Sequence, residues 1–164
     1  MLRLTGALFI ISACGLWGFL KAENMKKRID NLGKIISALT LLENEITYGK
    51  RNIKKAMKSI GDIQNLPLFI HAAEKMDQYS AGEALCNALK TKDTFLLGTD
   101  NEILEIMAED LGKTDTRSQI KSIEYAKCRL ESVKKTAEEE YIKSGRLYRS
   151  MGILVGTMAV IILF

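Results

Sequence analysis

Charge in this chain is confined to its middle. Of the 24 Lys and Arg, only Arg3 lies outside residues 21–149, and all 20 Asp and Glu lie inside them. The chain is thus a polar body of ordinary domain size with an uncharged, apolar stretch at each end. Such a distribution does not fit a freely soluble globule read end to end. A single proline among 164 residues argues against a turn-rich all-β protein. A net charge of +4 is too small to suggest nucleic-acid binding on its own.

Residues 4–20, LTGALFIISACGLWGFL, form the first uncharged run. As a helix it would be about 25 Å long, at the lower edge of a bilayer span. Trp17 and Phe19 stand near its exit, where aromatic rings favour the membrane interface. Residues 150–164, SMGILVGTMAVIILF, form the second run, which is short for a span unless Arg146 and Arg149 snorkel. Arg3 ahead of an apolar stretch resembles a signal peptide, and the sequence before Cys14 resembles a lipid-modification site. The residues after Cys14 stay apolar to Leu20, which favours an uncleaved anchor. The expected organisation is an N-terminal transmembrane helix over 1–22, a helical bundle over 23–149 and a C-terminal transmembrane helix over 150–164. Lys21, Lys26, Lys27 and Arg28 follow the first run, and Lys143, Arg146 and Arg149 precede the second. This places the body on the cytoplasmic side. Cys14, Cys86 and Cys128 are scattered and odd in number, as suits a reducing compartment.

The body reads as all-α, a bundle of about six helices. Ile29, Leu32, Ile36, Leu39, Leu42 and Ile46 step by three and four, with Gly49 as the expected C-terminal cap. Ile53, Ala56, Met57 and Ile60 predict a second helix ended by Gly61. Pro67 suits the first turn of a third. Ser80 caps a fourth, with Ala84, Leu85, Ala88 and Leu89 inward. Thr99 or Asp100 caps a fifth, with Ile103, Leu104, Met107 and Leu111 inward and Gly112 closing it. Thr114 or Asp115 starts a sixth, with Ile120, Ile123, Ala126, Leu130, Val133, Ala137 and Tyr141 on one face. That helix runs on into the terminal apolar stretch.

Catalytic patterns are weak. Gly112-Lys113-Thr114 resembles the end of a phosphate-binding loop, but Met107 stands where the loop needs its first glycine. His71 is the single histidine. Glu138, Glu139 and Glu140 lie among lysines and read as a solvated helix face. No pair of His and Cys has metal-ligand spacing, and no cofactor is expected. Glu45 follows Leu42 by three and borders the first stripe. It is expected either to pair with a nearby lysine at the boundary or to make a buried hydrogen bond between helices. Gly152 and Gly156 form a small-residue face on which a second membrane helix, such as the one bearing Gly15 and Gly18, can pack.

Four stretches together carry a resemblance: the opening MLRLTGALFI, then ISALTLLENEITYG, LGKTDTRSQI and KSGRLYRSMG at residues 36–49, 111–120 and 143–152. In order and spacing they resemble the stage III sporulation protein AB family of endospore-forming bacteria. Asn52 and Ile53 stand where family members often have a proline. The resemblance implies a mother-cell membrane protein of the channel built between mother cell and forespore. It implies a body similar to the cytoplasmic F domain of the type II secretion platform, working beside a secretion-type ATPase of the same operon. Glu45, Tyr48, Gly49, Asp115, Gln119, Gly152 and Gly156 become candidates for structural or partner contacts. The expected function is a non-enzymatic platform component, in contact with lipids and other proteins of that operon and capable of forming homo-oligomers. The alternatives are a membrane-anchored adaptor or lipoprotein unrelated to a channel, and an enzyme assembled from Glu45, His71 and Asp115.

Overall fold

The structure, a computed structural model, describes the backbone of residues 2–48, 52–91 and 95–163. Side chains are described for residues 16, 19–48, 52–91, 95–144 and 158. Among these residues the chain is all-helical, with six helices and no strand: α1 Leu2–Tyr48, α2 Ile53–Gln64, α3 Pro67–Lys75, α4 Ala81–Leu89, α5 Gly98–Asp110 and α6 Thr116–Leu163. They fall into two compact units, Asp30–Lys134 and the pair of terminal segments Met1–Ile29 and Lys135–Phe164.

The Asp30–Lys134 unit holds the main core. Leu32, Leu39 and Leu42 of the first stripe are fully buried, and Ile36 and Ile46 pack against them half-exposed. Ile35 and Ala38, outside the expected stripe, are buried as deeply. The buried face of α1 is therefore wider than a three-four step. Phe69, Met57, Leu85, Leu104, Met107, Ile123 and Leu130 complete the centre. Within this unit α3 packs against α2 and α4, and α4 packs against α5.

Local chemistry explains most boundaries. Asn52 begins α2 in place of a proline: its side-chain oxygen accepts a hydrogen bond from the Lys54 amide at 2.9 Å. Pro67 opens α3, where its missing amide proton costs nothing. Ser80 and Glu83 close a reciprocal capping box at the start of α4.

Two expected boundaries need correction. Gly61 does not end α2, which continues to Gln64. The ending falls at Asn65, in the left-handed conformation at φ 51°, with the Leu66 amide donating back to the Gly61 carbonyl at 2.9 Å. Gly61 is buried where α3 crosses: a Cβ there would sit 2.8 Å from Ile70 Cγ1 and 3.0 Å from its amide nitrogen. Likewise, neither Thr99 nor Asp100 caps α5. Leu97 holds the cap position, and Asp100, one turn on and fully buried, accepts from the Leu97 amide at 2.9 Å.

In the terminal unit, Ala22 and Ala137 are buried, whereas Leu16, Phe19, Leu20 and Met158 are each more than half exposed. Among the described residues no helix is long and apolar enough to cross a membrane. Most side chains of the two apolar runs lie outside those described, as do Gly49 and the side-chain environments of Gly152 and Gly156.

Candidate interaction surface

Within the Asp30–Lys134 unit, α1 and α6 run antiparallel. A Cβ on Gly33 would touch the Lys134 ammonium at 3.5 Å. Ten residues later on α1, Glu43 accepts a charge-assisted hydrogen bond from Lys127, seven residues earlier on α6. Rising numbers on one helix thus meet falling numbers on the other. The register brings the C-terminal end of α1, with Glu45 and Tyr48, towards the N-terminal turns of α6 that follow Asp115 and Gln119.

At that end the candidates divide into two kinds. Asp115 and Gln119 are spent on architecture. Asp115 Oδ2 accepts from the amides of Arg117 and Ser118 at 3.1 and 3.2 Å, and Oδ1 accepts from the Ser118 hydroxyl at 2.6 Å. The Ser118 hydroxyl, then its amide, hold the Asp115 carboxyl below the usual aspartate range. Gln119 Nε2 donates to the Thr114 carbonyl at 2.6 Å. The turn before them is set by Gly112 at φ 78° and by the Thr114 hydroxyl donating to the Asp110 carbonyl at 3.1 Å. Gly112-Lys113-Thr114 is thus a helix-to-helix turn that follows α5, not a strand.

Tyr48 and Glu45 are of the other kind. Tyr48 is 84% exposed. Glu45 is half-buried and makes no hydrogen bond or ion pair with the other described residues. The inter-helix carboxylate is Glu43, which lies on the opposite border of the same stripe. His71 sits on the surface, its ring Nδ1 3.4 Å from Glu74 Oε2, and is on a different helix from Glu45 and Asp115. The acidic run of α6 is solvated at Glu139 and Glu140.

The remaining surface carries isolated apolar side chains in water. Ile63 is 69% exposed at the end of α2, and Ile106 is 56% exposed on α5. Tyr125 on α6 is also mostly exposed. Sequence periodicity had marked the inward positions; these outward apolar ones carry no signal beyond being absent from a stripe.

A model of the stage III sporulation protein AB family matches residues 3–164. The chain is 32% identical to the stage III sporulation protein AB of Bacillus subtilis (strain 168) over 170 residues, covering 99% of each. It is also similar to a solved structure of a stage III sporulation protein AB. The TM-score is 0.65 at 30% identity, over 70% of this chain and 96% of the other.

Proposed function

This chain belongs to the stage III sporulation protein AB family, and on that premise we propose that it is a non-enzymatic membrane platform of the mother cell-to-forespore channel. Residues 1–22 and 150–164 span the mother-cell membrane. The body over 23–149 is cytoplasmic, and it holds position for channel subunits beside a secretion-type ATPase. The observation that carries this reading is continuity. The first apolar run and the first core stripe share one helix, α1, and the last core stripe and the second apolar run share another, α6. A body built on the same helices as its anchors suits a protein that relays position between cytoplasm and membrane. Leu16, Phe19, Leu20 and Met158, exposed in the terminal unit, suit contact with lipid. The carboxylates of Glu43, Glu83 and Asp115 serve an inter-helix pair and two helix caps.

The test is a cysteine-accessibility map combined with recovery of partners from sporulating cells. An exposed body position such as Tyr125→Cys should label only after lysis, and the full-length protein should co-purify with the operon's ATPase. Labelling in intact cells, or a soluble protein without membrane association, would overturn the reading.

A further inference from the structure

The four helices α2, α3, α4 and α5 form a row, each packing on the next, and the helices at the two ends of that row carry opposite charge. α5 holds Asp100, Glu102, Glu105, Glu109 and Asp110 and no basic residue. Asp100 is buried, Glu105 and Asp110 are half-buried, and Glu102 and Glu109 are exposed. At helical spacing Glu102, Glu109 and Asp110 stand four before, three after and four after Ile106, which makes them its neighbours on one face. Ile106 is 56% exposed. No ion pair to these carboxylates occurs among the described residues. An apolar side chain framed by like charges is unfavourable in water by both measures: the ring of carboxylates repels itself and the isoleucine stays wet.

α2 shows the reverse. It carries Lys54, Lys55 and Lys58 against one acid, Asp62, and its penultimate residue, Ile63, is 69% exposed. Lys54 is engaged with Asp77 at 2.5 Å, whereas Lys55 and Lys58 are exposed with no ion pair among the described residues. The α5 end of the row therefore frames an exposed isoleucine with carboxylates, whereas the α2 end presents Lys55 and Lys58 with Asp62 one turn after Lys58 and Ile63 on a neighbouring flank.

We propose that the α5 face around Ile106 of one copy docks on the α2 face around Lys55 and Lys58 of a second copy of this chain. Two α5 faces would repel each other, whereas α5 against the net-positive α2 attracts, so the contact is heterologous. Contacts of that kind repeat head to tail and generate a ring or an open row. Opposite charge sets partner choice and register, while burial of Ile106 adds apolar area. This pairing is independent of the channel reading: it needs only several copies held at one place.

The full-length protein in detergent micelles, followed by mass photometry over a concentration series, tests it. Wild type should associate, and raising the salt from 50 to 500 mM should weaken the association, because exposed charges are screened within a few ångströms at high salt (about 3 Å at 1 M). Glu102→Lys with Glu109→Lys should weaken it about ten-fold or more, as should Lys55→Glu with Lys58→Glu. An equimolar mixture of the two variants should associate again, since each then offers what the other lacks. Far-ultraviolet circular dichroism checks that both fold; if a reversal does not, Glu102→Gln with Glu109→Gln should still weaken the wild-type association. A wild type that stays monomeric, an association indifferent to these changes, or a mixture that fails to recover would each overturn the proposal.

Discussion

Glu43 on α1 and Lys127 on α6 form an ion pair across 84 residues of sequence, with side chains 20% and 19% exposed respectively. Removing one partner leaves the other partly buried and uncompensated. Glu43→Ala should therefore cost about 1–2 kcal/mol of stability. The double change with Lys127→Ala should cost less than the sum of the single ones. Glu45→Ala and Glu139→Ala should each stay within about 0.5 kcal/mol, as surface substitutions do. Thermal melts of the full-length protein in detergent, followed by circular dichroism, give all five values.

Glycines at two helix starts should respond in opposite directions. A Cβ on Gly82 would lie 2.0 Å from the Ala108 carbonyl oxygen, whereas one on Gly98 meets nothing within 4 Å. Gly82→Ala should destabilise by about 1–3 kcal/mol, because backbone has to move to admit it. Gly98→Ala should be neutral or stabilise by up to about 1 kcal/mol, through the smaller entropy loss on folding. The same melts separate the two.

Acid should loosen the α4 cap. The Ser80 hydroxyl and then the Ser80 amide hold the Glu83 carboxyl below its ordinary value of 4.5. The folded state thus prefers the ionised form. The contribution is fully present above the ordinary value and disappears as pH falls through the lower, folded one. Glu83→Gln should lower the melting temperature at pH 7, and the gap to wild type should close as pH falls below the ordinary glutamate range and through the lower, folded value. A gap that persists at the lowest pH would show that the carboxylate's charge has no part in the cap.

Thiol reactivity should follow burial. Cys86 is half-buried and Cys128 exposed. Burial first, and then the negative charge of Glu105, push the Cys86 thiol above its ordinary range. Iodoacetamide at neutral pH should alkylate Cys128 well before Cys86. Glu105→Gln should speed Cys86 by removing one of the charges that oppose its thiolate. Peptide mass spectrometry against time reads both rates.

The helices themselves were legible because periodicity and capping chemistry agree. The inward face of α4, the Ser80 cap, Pro67 at the start of α3 and the Asp115 start of α6 all follow from local rules. What was not legible depends on neighbours. Glu43 and Glu45 border one apolar stripe on opposite sides, and a stripe tells which side of a helix is buried, not which flank a given neighbour will take. Only the placement of α6 makes Glu43 the paired carboxylate. Gly61 reads as a terminator in sequence because glycine usually is one at that distance into a short helix. Its reason for being glycine is the passage of α3 over it, which no local pattern encodes. Asp100 reads as a cap, yet the helix starts earlier, at Gly98, with the carboxylate turned back onto the Leu97 amide. Tyr48, Ile63 and Ile106 stand out only once the core is known, since exposure is what remains after packing is assigned.

The close approach at Gly82 has a mechanical consequence. With no side chain between the α4 backbone and the Ala108 carbonyl, that joint has no rotamers to flip and little compliance, unlike a contact padded by leucines. A load applied to the outer face of α5 would be felt at α4 as displacement instead of being absorbed in side-chain rearrangement. The two helices should move as one stiff piece, and any bending of the body belongs at the leucine- and methionine-filled seams elsewhere. In hydrogen exchange that stiffness would show as shared protection of the α4 and α5 amides, opening together and not one helix at a time.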